Sequence, residues 1–563
     1  MDIEMKAKFP LIQLLYFAKY CIYGLYDGHV NSFLFLSEEE FYIVRKWVSD
    51  NCKKKFSLQE LNFIKQIKRA GFLKDGVRKN RVDSSDENIT NVINYSQERA
   101  SRRKLTLEIT DKCNLRCKYC RYTINEIKKT GKSHDNKVMK SKVYKKAIQE
   151  FIEDYCRTID RLPIELQKDY LIKNPPIIGL YGGEVLIYKR VVRNIVDFIK
   201  KIHFPFDKKY ICIAITTNGT LLYEDFIEFC IKEEVYLQIS IDGPRSEHDK
   251  NKVFASSRGS FEKVYNAIEI LRNKYPDFFK SHVSFQAVQA PNYDKKEVLD
   301  FFRTMNSNGR FAGVNSFRFL EFADYYLSSI GFKSKSKRNI LEIYNNVVYD
   351  LMDRVEEYES NCKDEASLIR CYQLDIELKD VFSKVYEMLT RIFETPKLAD
   401  NFFNSCYLLK TNTFVACNGE IHICERTDFS QPVGDIGNGI DVEKIFDLYK
   451  KFFQIMNSSK CKACWAATLC PICIAQLIQD GKVGYPEDER CIAIRQNSRI
   501  LIEILFILSS KYPRTFNAIQ EIFSVSTDSS VAVFPCTKAC NQGSIGLLQG
   551  NQHGIIKAVM MKF

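Results

Sequence analysis

Between residues 104 and 322 six strand-like runs alternate with longer stretches of helical apolar period: Leu105 to Thr110, Ile177 to Tyr181, Tyr210 to Thr217, Val235 to Ile241, His282 to Gln289 and Ser316 to Phe322. Parallel strands must be joined by crossovers, usually helices, so this alternation predicts βαβ units and the α/β fold class, as a doubly wound sheet or a partial barrel. In such sheets chemistry sits beyond the carboxyl ends of the strands, and candidate residues are to be sought there. The chain has 563 residues, and at roughly 150 residues per domain other units must flank this one. A composition of 45% hydrophobic and 27% charged residues is that of a globular protein, which excludes wholesale disorder, a collagen-like repeat and a membrane bundle.

Residues 1–75 read as a small α+β unit. The strand-like Ser32 to Leu36 leads into a capping box at Ser37 and Glu40, and Ser57 and Glu60 start a second helix. Residues 76–103, rich in Asp, Asn, Ser and Arg, read as a solvated linker, and the charged, helical pattern of 323–400 as an insertion. Residues 401–511 carry a second cysteine field and a helix, and 512–563 form a tail of small residues that holds Cys536 and Cys540. The formal charge of +13 is too diffuse to indicate nucleic acid. Lys19 and Glu503 interrupt the most apolar stretches, so neither supplies the ~20 apolar residues of a membrane span. The start MDIEMKAKF lacks the pattern of a secretory signal, so a cytoplasmic location without a membrane partner is expected. In a reducing compartment clustered cysteines, of which many of this chain's 20 are examples, point to metal ligands or catalysis rather than disulfides.

The densest cluster is Cys113-Asn-Leu-Arg-Cys117-Lys-Tyr-Cys120, directly after the strand Leu105 to Thr110. Three thiolates on one tight loop can hold three irons of a cubane cluster and leave the fourth open to a substrate or cofactor. A zinc knuckle is the alternative, but zinc wants a fourth ligand and His134 is the only local histidine.

This CxxxCxΦC loop resembles that of the radical S-adenosylmethionine (radical SAM) superfamily. Three further segments at strand ends agree with it: Tyr181-Gly-Gly-Glu184, Thr216-Thr-Asn-Gly-Thr220, and Ser240-Ile-Asp-Gly-Pro244 followed by His248 and Asp249. The resemblance implies a partial (β/α)6 radical SAM barrel over 104–322, with Cys113, Cys117 and Cys120 as catalytic cluster ligands. It implies that Tyr119, Gly182, Gly183, Glu184, Thr217, Asn218, Ser240 and Asp242 bind S-adenosylmethionine, the Gly-Gly-Glu segment at its methionine amino group. One electron from the cluster would then cleave the cofactor to a 5′-deoxyadenosyl radical that abstracts a hydrogen atom. Family members often carry Arg a few residues after the His-Asp pair, whereas here Lys252 stands closest and Arg258 comes later.

The second field comprises Cys406, Cys417, Cys424, Cys461, Cys464, Cys470, Cys473 and Cys491. It resembles the SPASM domain of radical SAM peptide-modifying enzymes, which implies two auxiliary 4Fe-4S clusters: Cys406, Cys417, Cys424 and Cys473 on the nearer, Cys461, Cys464, Cys470 and Cys491 on the distal one. Two residues separate Cys470 from Cys473, where the family commonly has three, which bears on whether the nearer cluster keeps an open iron. The two Cys-x-x-Cys pairs lie closer together than the roughly 15–20 residues of a zinc ribbon. Residues 1–75 resemble the winged-helix recognition domains of peptide maturases, which add a leader peptide to a sheet edge. The whole resembles a peptide maturase, implying a ribosomal precursor peptide as substrate, a flavodoxin- or ferredoxin-type electron donor, and a crosslink as product. A thioether is the first expectation; carbon–carbon or ether crosslinks, epimerisation, and a sulfatase-type protein modification are the alternatives. Cys21, Cys52, Cys156, Cys212, Cys230, Cys362 and Cys371 are scattered on apolar patterns and read as packing residues.

Overall fold

The computed structural model describes residues 11–49, 56–77, 84–99, 103–128, 132–289, 294, 296–298, 300–302, 317–321, 337–394, 408–409, 412–427, 429–479 and 482–524. Cys52, Cys406, Cys536 and Cys540 lie outside these residues.

Three strands of the N-terminal unit, β1 (Ile12–Phe17), β2 (Ile22–Asp27) and β3 (Ser32–Leu36), form an antiparallel sheet in chain order. One face packs on the helices Glu38–Ser49 and Leu58–Arg69, with Ile12, Leu25, Val44, Val48, Ile64 and Ile67 as its core. Both capping boxes form: the Ser37 and Ser57 hydroxyls accept from the Glu40 and Glu60 backbone N–H groups, and each glutamate reaches back to its serine's N–H.

The central sheet has ten strands in the order β13-β12-β11-β10-β4-β5-β6-β7-β8-β9. Strands β4 (Lys104–Thr110), β5 (Ile177–Gly182), β6 (Cys212–Thr217), β7 (Tyr236–Ser240), β8 (Val283–Gln289) and β9 (Phe317–Glu321) run parallel, each beside the next. The class expected from the alternation, α/β with a parallel sheet, is therefore what the chain adopts. Six of the seven residues of β4 are buried, as befits a strand covered on both faces. Leu107, Leu180, Ile215, Leu237 and Ile239 share one core with helix residues such as Ile148, Phe151, Ile195 and Phe226, each contributing about 1.5–3 kcal/mol by leaving water.

The other edge of this sheet comes from the second cysteine field. Strand β10 (Thr413–Val415) lies parallel to β4, pairing Phe414 with Thr106, and β11 (Glu420–His422), β12 (Gly434–Asp435) and β13 (Gly439–Ile440) continue antiparallel. The helices Lys337–Asn361, Glu365–Leu374, Ile376–Glu394, Asp488–Lys511 and Pro513–Ser524 form a second core, and Leu15, Ile22, Tyr26 and Phe33 from the free face of the N-terminal sheet complete it. Among the described residues no helix is long and apolar enough to cross a membrane.

Two expectations need correction. The stretch read as a solvated linker, 76–103, holds the helix Asp86–Arg99, whose Ile89 and Ile93 are buried in the main core. Its narrow apolar stripe, hidden among polar residues, is enough to dock it. The stretch read as a tail from 512 begins with the helix Pro513–Ser524, which buries Phe516, Ala518 and Ile519.

Gly24 lies where the N-terminal sheet meets the helix Asp488–Lys511, and a Cβ there would stand 2.2 Å from Phe506 Cε1. Gly24→Ala must displace that ring and is expected to destabilise the protein by about 1–3 kcal/mol, read as a lower urea midpoint at unchanged slope. An unchanged midpoint would contradict this packing.

Candidate functional site

The cysteine loop leaves the end of β4 and hangs on backbone hydrogen bonds. The Arg116 and Lys118 N–H groups donate to the Val253 and Asn251 carbonyls at 2.7 and 2.9 Å, and Cys120 N–H closes a turn on Cys117 at 3.0 Å. Burial pushes the Cys113 thiol well up, with the Glu184 carboxylate adding to it. Burial also raises Cys117, to about 12, against the lowering pull of the Lys252 ammonium. Each of these thiols lies in the electrostatic field of Cys120 as well, and all three stand on the one anchored loop. The Asn218 amide approaches Cys113 Sγ at 3.8 Å and donates to Asn114 Oδ1 at 2.9 Å.

Gly182 and Gly183 end β5 against this loop. Gly183 N–H donates to Thr110 O at 2.7 Å and Glu184 N–H to Lys112 O at 2.8 Å. A Cβ on Gly182, whose φ is +142°, would sit 2.2 Å from Thr110 O, and one on Gly183 2.2 Å from Lys112 O. The pair is glycine because the backbone entering the cysteine loop occupies the space of both side chains. Glu184 is wholly buried. Its Oε1 accepts from the Thr217 hydroxyl at 2.7 Å and Leu186 N–H at 3.0 Å, and its Oε2 from Asn218 N–H at 2.7 Å. Burial raises its pKa while these donors, foremost Asn218 N–H, counter it. The carboxylate thus ties the end of β5 to that of β6, a structural task beside the cofactor contact that the resemblance implies.

At the end of β7, Ser240 is half-buried and Asp242 is buried. Asp242 accepts from Tyr119 OH at 2.6 Å and Val288 N–H at 2.9 Å, and Lys252 Nζ stands 3.9 Å away. Burial raises the Asp242 carboxyl against the Lys252 charge. The following His-Asp pair holds the loop on which the cysteines hang. Asp242 N–H donates to His248 Nδ1 at 3.2 Å, which leaves the proton on Nε2 to donate to Ser260 Oγ at 3.0 Å, and that hydroxyl donates to Lys252 O at 2.8 Å. Burial holds the His248 pKa well below its ordinary value, in keeping with a neutral ring. Asp249 accepts from Phe261 N–H at 2.8 Å, its carboxylate filling the space above Gly259.

Sequence reasoning missed Glu108, although a lone charge inside the apolar strand β4 was its signal. The Glu108 carboxylate accepts from Tyr122 OH, Lys132 Nζ and, at 2.9 Å, Cys417 N–H. It therefore joins the first cysteine segment to the second through the core of the sheet. Burial raises the Cys417 thiol to about 12, with Glu108 adding to it. Cys424 Sγ receives Arg426 N–H at 3.4 Å; Cys461 lies within the short helix Ser459–Lys462 and Cys464 two residues after its end. Burial raises the Cys491 thiol, opposed by the Lys460 ammonium and assisted by Cys461 and Cys464. Cys470 and Cys473 pack, with Cys424, against the main core.

The donor set fits an iron–sulfur cluster at Cys113, Cys117 and Cys120. These are sulfur ligands on one anchored loop, with Cys113 and Cys117 so desolvated that their thiolates call for a strongly cationic partner.

The family model described as Radical SAM superfamily matches residues 107–305. The chain is 28% identical to the cysteine-type anaerobic sulfatase-maturating enzyme of Clostridium novyi over 37% of this chain and 47% of that protein. It is 23% identical to the radical SAM cyclopropyl synthase TigE of Paramaledivibacter caminithermalis over 40% and 44%. These alignments span less than half the length of either relative. The structure of native anSMEcpe with bound AdoMet overlays with a TM-score of 0.48 at 18% identity, covering 74% of this chain and 99% of that one. Streptococcus suis SuiB bound to precursor peptide SuiA gives 0.40 at 14%, covering 86% and 98%. Residues 107–305, with the cysteine loop and the strand-end segments they contain, form a radical SAM domain, the enzyme domain of a superfamily that uses a 4Fe-4S cluster and S-adenosylmethionine.

Proposed function

We propose that the chain is a peptide maturase, which takes a hydrogen atom from a ribosomally made precursor and closes a crosslink in it, a thioether through a precursor cysteine. The observation that carries this reading is the joining of two cysteine fields in one sheet, with β10 beside β4 and Cys417 N–H on Glu108. A crosslink removes two hydrogens from the peptide. One leaves as an atom to the 5′-deoxyadenosyl group; the other leaves as a proton and an electron, and an acceptor must stand near the first site. When bound, the cluster at Cys113, Cys117 and Cys120 would supply the electron that cleaves the cofactor. This chain's own residues would anchor that loop through Gly183 and the His248 relay, and set Tyr119 by Asp242. Cys417, Cys424, Cys473 and the undescribed Cys406 would hold the nearer auxiliary cluster, Cys461, Cys464, Cys470 and Cys491 the distal one. The unit of residues 1–75 would receive the leader on a sheet edge.

The relatives support a peptide or protein substrate by their names. Besides those above, the chain is 25% identical over 30% of its length to the antilisterial bacteriocin subtilosin biosynthesis protein AlbA of Bacillus subtilis. The sulfatase-type reading is kept because of the match to the sulfatase-maturating enzyme. Incubation with candidate precursor peptides and, separately, with a sulfatase chain distinguishes them: loss of two hydrogens from a precursor, located by fragment masses at a cysteine, is the expected result. Modification of the sulfatase alone would replace the proposal. Cys464→Ala is expected to keep 5′-deoxyadenosine formation within about twofold, as a site remote from the chemistry should, while the crosslinked peptide disappears. Normal peptide product from this variant would remove the auxiliary role of Cys464.

A further inference from the structure

Cys362 and Cys371, read from sequence as packing residues, meet in the helical unit with their sulfurs 3.5 Å apart. Cys362 follows the end of the helix Lys337–Asn361, and Cys371 lies within the helix Glu365–Leu374. Neither belongs to the two cysteine fields. Cys362 is buried and Cys371 half-buried, so one thiol is reachable and the other stands behind it. A disulfide needs its sulfurs at about 2.05 Å, so closure must bring the two sulfurs, now 3.5 Å apart, about 1.5 Å nearer.

We propose that Cys362 and Cys371 are a redox-active dithiol that closes to a disulfide by exchange with a small-molecule or protein disulfide. In the first step Cys371 thiolate attacks the incoming disulfide, forming a mixed disulfide and releasing one thiol. In the second, Cys362 attacks Cys371 Sγ and releases the other. The pair gives up two protons and two electrons, and the incoming disulfide leaves as two thiols. Burial and the neighbouring Cys362 raise the Cys371 thiol to about 11, so exchange through the Cys371 thiolate speeds up as pH rises. The closed form would fasten the corner between the two helices where the last described helix docks: Arg514 donates to the Glu359 and Cys362 carbonyls, both at 2.9 Å, and Tyr372 OH meets Thr515 Oγ1 at 2.6 Å.

The test uses reconstituted holoenzyme held without oxygen in excess oxidised glutathione, then alkylated, digested with trypsin and weighed. Trypsin cuts after Lys363 and Arg370, so the Cys362 and Cys371 peptides stay together only through a disulfide. The expected result is that linked pair, separated by dithiothreitol, with slower backbone amide exchange over 362–374 than in reduced enzyme. In Cys371→Ser the linked pair is absent and Cys362 stays open to alkylation once the protein is denatured. Cys362 and Cys371 both fully alkylated, or each found separately joined to glutathione, would overturn the proposal, as would unchanged amide exchange in the linked form. None of these readouts depends on cofactor cleavage or peptide product, so this test stands apart from the functional one.

Discussion

Cys117→Ala is expected to stop 5′-deoxyadenosine formation altogether and to lower the iron content of the reconstituted protein by about four. Cys117 lies in the field of Lys252, Cys120 and Asp242, and its position is set by the turn from Cys120 N–H and by the anchoring of Arg116 and Lys118 on 251–253. Because those anchors are backbone groups, alanine leaves the loop in place and removes only the sulfur. The circular dichroism spectrum and the urea midpoint of the unreconstituted variant should therefore match those of the parent. An undiminished cleavage rate would remove Cys117 from the site, whereas lost cleavage with a collapsed midpoint would point to a folding defect instead.

Gly183→Ala should do comparable damage by a different route. The added carbon would stand 2.2 Å from Lys112 O and 2.5 Å from Lys112 C. Both are backbone atoms, with no flexible side chain to yield. Either the cysteine loop moves or the end of β5 does, at about 1–3 kcal/mol or more, and the hydrogen bonds Gly183 N–H to Thr110 O and Glu184 N–H to Lys112 O are lost. The variant is expected to retain every cysteine and yet bind iron poorly at the first site, with a lower urea midpoint before reconstitution. Glu184→Gln is the control: it keeps the backbone contacts and changes only the carboxylate that receives Thr217, Asn218 and Leu186. Gly183→Ala with normal iron loading and stability would refute the close packing of β5 on the loop.

The sheet was legible because buried parallel strands read as short apolar runs: Leu105 to Thr110 and Ile177 to Tyr181 each lie within a residue or so of β4 and β5. The strand-end segments were legible because glycines and carboxylates break those runs where the chain must turn. What escaped depends on distant partners or on weak punctuation. Strands β1 and β2 were lost in one apolar stretch because their turn is made by Ala18–Tyr20 and by Cys21 at φ +50°, residues that carry no turn signature. The pairing of Phe414 with Thr106 joins segments about three hundred positions apart, and no local pattern announces it. The same holds for Cys417 N–H on Glu108, whereas Cys362 and Cys371, near in sequence, meet only because the chain turns a corner between two helices. The role of Gly183 was legible only as a need for close approach; that the approaching group is the backbone of Lys112 required the fold.

The most direct measurement is reconstitution of the protein with iron and sulfide without oxygen, followed by iron counting and assay of 5′-deoxyadenosine after addition of dithionite and S-adenosylmethionine. The expected result is about twelve irons per chain and 5′-deoxyadenosine that depends on Cys113, Cys117 and Cys120. About four irons with cleavage would keep the first site and remove the auxiliary clusters, and a reconstituted protein that makes no 5′-deoxyadenosine would contradict the central claim.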